Sequence, residues 1–128
     1  MFLFRYFTIP VLWTSFIFIM YGISVNDVPT SDVLSFDKIA HIGLFMLNTH
    51  FWSVSLRKQF VYEKWNKNAL FIAISISLVL GVFLELFQGM FFAGRTTEVL
   101  DIIANIAGAF LGLIMFRLLY GKKITFRE

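Results

Sequence analysis

The chain has 128 residues, of which 59% are hydrophobic, 19% aromatic and only 15% charged, with a formal net charge of +3. A soluble domain averages about 45–50% apolar and about 25% charged residues, and one this small has no interior large enough to hide the excess, so soluble and disordered chains are both excluded. The absence of cysteine removes disulfides, thiolate metal sites, Cys nucleophiles and a lipoprotein anchor.

Four apolar runs follow one another. The first, Phe7 to Ile23, predicts a span over about 5–24, with Pro10 in its first turns, where a missing N–H costs least. The stretch Ser24 to Pro29 lacks the small-x-small pattern of a cleavage site, so a retained helix is expected rather than a secretory signal. The second run, Ile39 to Leu56, is closed by Arg57 and Lys58 and predicts a span over 38–56. The third, Ala69 to Phe92, carries one charge, Glu85, and the fourth, Val99 to Tyr120, has Asp101 near its start and Arg117 near its end. These predict spans over 69–92 and 98–120. At about 1.5 Å per residue each run crosses a hydrocarbon core of about 30 Å, the second only just. The expected architecture is therefore all-α, an integral membrane four-helix bundle forming a single domain over 1–128, with the lipid bilayer as its surroundings.

Four spans put both ends of the chain on one side. That side holds nine of the eleven basic residues and two acids, a net of +7, whereas the other holds Lys38 and Arg95 against six acids, a net of −4. The positive-inside rule places the +7 side, with both termini, in the cytoplasm. It also explains the pI of 9.4, so no nucleic-acid partner is expected. Loops 24–38 and 93–98 then face outward.

Polar residues inside spans are costly and informative. Asp37, His41 and Asn48 share one face of the second run, Ser77, Gly81, Glu85 and Gln88 one face of the third, and Asp101, Asn105, Gly108 and Gly112 one stripe of the fourth. Three such stripes predict one polar cleft between the second, third and fourth helices, in the outer half of the membrane. Gly94-Arg95 stands at its mouth, where the guanidinium offers a bidentate fork to carboxylate or phosphate. His50, nine residues beyond His41, points to the opposite face and is read as structural or lipid-facing.

The ordered set Asp37-Lys38-x-x-His41, Glu85-x-x-Gln88, Gly94-Arg95 and Asp101-x-x-x-Asn105-x-x-Gly108-x-x-x-Gly112, over roughly residues 35–115, resembles the VanZ-like family of small bacterial membrane proteins. The resemblance implies a protein of the cell envelope, in the bacterial inner membrane. The family's namesake is linked to resistance to the glycopeptide teicoplanin, which targets cell-wall precursors, so a contribution to antibiotic resistance is among the implied roles.

Each residue also has a plainer reading. In it His41 pairs with Asp37 for packing or capping, Glu85 sits in a buried ion pair with Lys38 or Arg95 or is a protonated carboxyl bonded near Gln88, Asp101 favours the N-terminal dipole of its helix, and Asn105 bonds across helices. Against these stands a site for an anionic envelope substrate, such as a lipid-linked cell-wall intermediate or a phospholipid head group. In it Glu85, His41 and Asp101 are the candidate catalytic groups, and Arg95, Lys38, Asp37, Gln88 and Asn105 the candidate substrate-binding groups. No cofactor is predicted; a divalent cation on Asp101, Glu85 and His41 is the minority alternative. The sequence leaves enzyme and non-enzymatic binding or partner protein open, with a small four-helix exporter the weakest option because the first run holds no acid. Oligomeric state is equally open, since Gly108-x-x-x-Gly112 suits an internal or an external contact.

Overall fold

Long apolar runs bounded by charged or turn-forming residues satisfy their backbone polar groups internally, and helices are the result. The computed structural model describes residues 2–22, 30–91 and 97–121, and every regular element among them is a helix. These are α1 (Phe2–Gly22), α2 (Thr30–Lys58), the five-residue α3 (Glu63–Lys67), α4 (Ala69–Phe91) and α5 (Val99–Tyr120).

Three differences from the sequence reading concern helix boundaries. α2 begins at Thr30, inside the stretch read as an outward loop, because Thr30, Ser31 and Asp32 are residue types that open helices. Pro10 stands in the third turn of α1 rather than its first, since the helix already starts at Phe2; it denies the Tyr6 carbonyl its helical donor. The stretch between the second and third predicted spans is ordered as well and holds α3. Gln59 is fully buried, its amide donating to the carbonyls of Leu56 and Tyr62 and accepting from the N–H groups of Val61 and Tyr62. Asn66 donates to the Arg57 carbonyl across the same turn. These bonds lock the angle at which the chain leaves α2 for α4.

α2 is the central helix and packs on α1, α3, α4 and α5. From Ala40 to Arg57 none of its residues is exposed. The contacts fix direction: His41 meets Glu85 and Asn48 meets Ser77, so α2 and α4 are antiparallel. His41 meets Asn105 while His50 stacks on Tyr120 and lies tilted against Phe116, so α2 and α5 run parallel. This last interface, between helices that are not neighbours in the chain, is the most extensive one. Gly108 and Gly112 make it possible. A Cβ at Gly108 would strike the Ile42 carbonyl group and Cα, and one at Gly112 would strike the Met46 carbonyl, with Thr49 Cβ at 2.8 Å. The small-residue pair therefore serves an internal contact.

His50 is 5% exposed and lies against the rings of Phe116 and Tyr120, the latter with its centroid 5.9 Å away. It packs inside the bundle and does not face lipid. Helices cover more than one face of α2, so residues on its opposite sides are both interior.

The surface carries the apolar residues. Phe4, Ile9, Leu12 and Ile19 on α1, Phe71, Val79 and Met90 on α4, and Leu100, Phe110 and Leu118 on α5 are all exposed, whereas Asn48, Thr49, Ser53, Ser77 and Glu85 are fully buried. A polar interior beneath an apolar exterior is the pattern of a chain whose solvent is lipid. Leu3–Gly22, Ala69–Phe91 and Val99–Tyr120 are long and apolar enough to cross a membrane. α2 is long but richer in polar residues, and His41, Asn48 and Thr49 on it bond to side chains of other helices.

Candidate functional site

The alternating directions bring together the C-terminal end of α1, the N-terminal half of α2, the C-terminal half of α4 and the start of α5. One polar residue from each meets there. Tyr21 Oη donates to Glu85 Oε1 at 2.9 Å and accepts from Asn105 Nδ2 at 2.9 Å. The Asn105 amide also reaches the Gly81 carbonyl at 3.4 Å through Nδ2, which fixes its orientation. Asn105 Oδ1 is thus an acceptor, and it lies 2.8 Å from His41 Nδ1. The proton in that bond must come from the imidazole, so Nδ1 carries the hydrogen, shared with Tyr21 Oη at 2.8 Å. In a neutral ring Nε2 then carries the lone pair. It faces Asp37 Oδ2 at 3.7 Å.

Glu85 is fully buried, and its Oε1 is also 3.6 Å from His41 Nδ1. Its second oxygen, Oε2, is buried with no hydrogen-bond partner among the described residues. An orphan oxygen on a carboxyl costs about 1–3 kcal/mol and is uncommon in native interiors. Gln88, one turn on, donates to the Tyr21 carbonyl at 3.1 Å and ties α4 to the end of α1. Thr97 donates to the Glu85 carbonyl at 3.3 Å from the segment leading into α5.

Above this buried layer lies a more exposed one. Lys38 bridges Asp101 and Glu98, the latter at 3.1 Å. The Asp101 side chain is 9% exposed, that of Lys38 23% and that of Asp37 48%. Exposure thus rises from Glu85 outward to Asp37. A Lys38–Glu85 ion pair, one of the plainer readings, does not form, because Lys38 sits above Asp101 and both stand one turn beyond the layer that holds Glu85.

A second polar layer lies about two turns below the first. Asn48 Nδ2 and Thr49 Oγ1 both donate to Ser77 Oγ, at 2.9 and 2.7 Å. Thr14 donates to Asn48 Oδ1 at 2.9 Å and accepts from Trp52 Nε1 at 3.1 Å. Every polar side chain named in this layer has a partner, so it is read as helix-to-helix pinning.

The chain belongs to the VanZ/LLP1 family. The family model matches residues 2–120, nearly the whole chain and all four long helices. Comparison with curated proteins and with solved structures gives no match. In this VanZ-like chain the structure gathers Asp37, Lys38, His41, Glu85, Gln88, Asp101 and Asn105 at one end of the helices; Arg95 lies outside the described residues.

Two members of the cluster escaped the sequence reading. Tyr21 is the hub of the buried layer, yet it comes from the first run, where an aromatic at a helix end passes for an interfacial anchor. Its signal was position: it closes a span at the same outer level as Asp37, Glu85 and Asp101. Glu98 was counted only as an outer-side charge. The cluster therefore draws on four helices rather than the three expected.

Tyr21→Phe removes one hydroxyl and no ring volume. It strips Glu85 Oε1 of its donor and Asn105 Nδ2 of an acceptor in one change. The expected loss is about 1–3 kcal/mol of stability, read by thermal denaturation of the purified protein in detergent.

Proposed function

We propose that this VanZ-like protein is a multi-pass protein of the bacterial inner membrane, with four crossings and both termini cytoplasmic, whose polar cluster faces outward and binds or acts on an anionic envelope substrate. The charge distribution in the sequence supports the orientation, since the cluster stands at the end of the helices opposite Arg57, Lys58 and Arg117. α2 makes the fourth crossing, shielded by α1, α4 and α5.

The observation that carries the reading is Glu85: a fully buried carboxyl in an apolar helix, held by Tyr21 beside His41 while one of its oxygens has no partner among the described residues. A group so costly to bury is retained for proton chemistry or recognition far more readily than for packing. Glu85, His41 and Asp101 form the chemical core. Lys38 and Arg95 offer positive charge to a phosphate or carboxylate, and Asp37, Gln88 and Asn105 position the others. A lipid-linked cell-wall intermediate and a phospholipid head group both have the required charge and reach the outer leaflet. Glycopeptide resistance would follow if the substrate were a wall precursor.

A second reading has a specific support. The buried layer is closed on itself, with Asn105 2% and Gln88 8% exposed, which suits a binding or partner protein whose network sets shape only. Lipid and wall-precursor profiling of a deletion strain complemented with wild-type or Glu85→Gln protein separates the two. Accumulation of the same intermediate in the deletion and the Glu85→Gln strain supports chemistry at Glu85. Full complementation by Glu85→Gln supports the binding protein. An unchanged envelope in the deletion strain would remove both.

A further inference from the structure

The acidic rim of the cluster has a feature that the anionic-substrate reading leaves unused. One ligand-type atom each from Asp37, His41 and Asp101 lies within 4.8 Å of the others. Carboxylates alone would mean little at a membrane surface. His41, however, is 8% exposed, and its tautomer is set from behind: Nδ1–H is spent on Asn105 Oδ1 and Tyr21 Oη, the latter anchored by Glu85. The other ring nitrogen, Nε2, points to the rim, where a carboxylate oxygen of Asp37 lies 3.7 Å away. An imidazole held through one nitrogen by a buried polar chain, with the other nitrogen aimed at carboxylates, is the arrangement that orients histidine ligands toward a metal.

Charge points the same way. Asp37, Glu85, Glu98 and Asp101 bring four carboxyls to the cluster against one lysine among the described residues. Lys38 contacts Asp101, but it has a second acid in Glu98 at 3.1 Å and can keep that partner while Asp101 turns to a cation. Ligand bonds of about 2.0–2.2 Å require donor atoms closer together than 4.8 Å. The half-exposed Asp37 side chain is free to supply that shift.

We propose that Asp37, His41 and Asp101 bind one divalent transition-metal ion, through His41 Nε2 and one oxygen of each aspartate. The imidazole favours Mn²⁺ or Zn²⁺ over Mg²⁺ or Ca²⁺, and the absent thiolates leave no special preference for soft ions. The ion would neutralise the rim and offer open positions to the phosphate or carboxylate of an outer-leaflet substrate. The set differs from the trio expected from sequence, with Asp37 in place of Glu85; Glu85 acts from behind, through Tyr21 and beside His41.

The proposal deepens the site reading above but is tested without any substrate. The full chain, purified in detergent and stripped with chelator, is titrated with Mn²⁺ alone and followed by electron paramagnetic resonance. The expected result is one Mn²⁺ per chain with pulsed-resonance modulation from an imidazole nitrogen, displaced by Zn²⁺ and not by equimolar Mg²⁺. His41→Gln should abolish the nitrogen signal. Asp37→Asn, at a half-exposed side chain that leaves the fold intact by circular dichroism, should weaken binding by about tenfold or more. Absence of stoichiometric Mn²⁺ in the wild type, absence of nitrogen coupling, or unchanged binding in Asp37→Asn overturns the proposal. Metal binding with an unaltered envelope profile would remove the substrate reading and leave the metal site standing; the reverse result would do the opposite.

Discussion

Glu85→Gln is expected to leave the protein at least as stable as the wild type while abolishing its effect on the envelope. The substitution keeps shape and keeps an oxygen to accept from Tyr21 Oη at the present 2.9 Å. It removes a carboxyl from a fully buried position on a helix that is apolar enough to span a membrane, where an ionised group costs at least about 2.5 kcal/mol. The new amide nitrogen replaces an oxygen that has no partner among the described residues, so no existing bond is lost there. Replacement of buried ionic groups by neutral ones is often neutral or stabilising. Retained thermal stability combined with lost complementation identifies a group kept for chemistry at the expense of stability. A large fall in stability would instead identify Glu85 as a packing element, and full complementation would remove it from the chemistry. Glu85→Ala is the less informative change, because it leaves the Tyr21 hydroxyl facing a cavity and confounds both readouts.

The second large effect belongs to the α2–α5 contact. Gly108→Leu is expected to prevent accumulation of folded protein. Overpacking a tight interior costs about 1–3 kcal/mol where neighbours can move. Here the first added carbon would meet backbone, the Ile42 carbonyl and Cα, and backbone has nowhere to go without parting the helices. Separation of α2 from α5 would also part His41 from Asn105 and Lys38 from Asp101, so the site would fail with the fold. Gly43→Ala supplies the contrast within the same central helix. A Cβ at Gly43 meets nothing within 4 Å, and alanine relieves the helical penalty of glycine, so a gain of about 0.5–1 kcal/mol is expected. Protein levels and thermal denaturation of the two variants check the pair. Equal tolerance of both would show that the Gly108 approach is not needed for the fold.

Much of the site was legible because charge is scarce in this chain. Asp37, Glu85 and Asp101 stood out as acids at or inside apolar runs, and helical spacing put His41, Gln88 and Asn105 on the same stripes. The helices containing them, their polar faces and the close-contact glycines all follow from local pattern, because period and polarity are properties of a single segment. Tyr21 was not legible in this way. An aromatic at the end of an apolar run has the same sequence signature whether it faces lipid or the interior, and only the packing of α1 against α2 and α4 turns it inward. His50 shows the same ambiguity from the other side. Its helical phase opposes that of His41, but phase distinguishes inside from outside only for a helix with one covered face.

The sequence by itself determined that the chain is a helical membrane protein, where three of its four long helices lie, and that a few charged groups gather toward one end of them. Those properties are written in composition and in periodicity, which need no partner to be read. Tertiary structure decided which helix is central, that the parallel pair α2 and α5 makes the tightest contact, that Tyr21 joins Glu85 to His41 and Asn105, and that Lys38 turns to Asp101 and Glu98 rather than to Glu85. Each of these depends on the mutual rotation and depth of helices distant in the chain. A hydrogen bond of 2.9 Å is made or lost by a shift of one residue in that register, and no single segment specifies it.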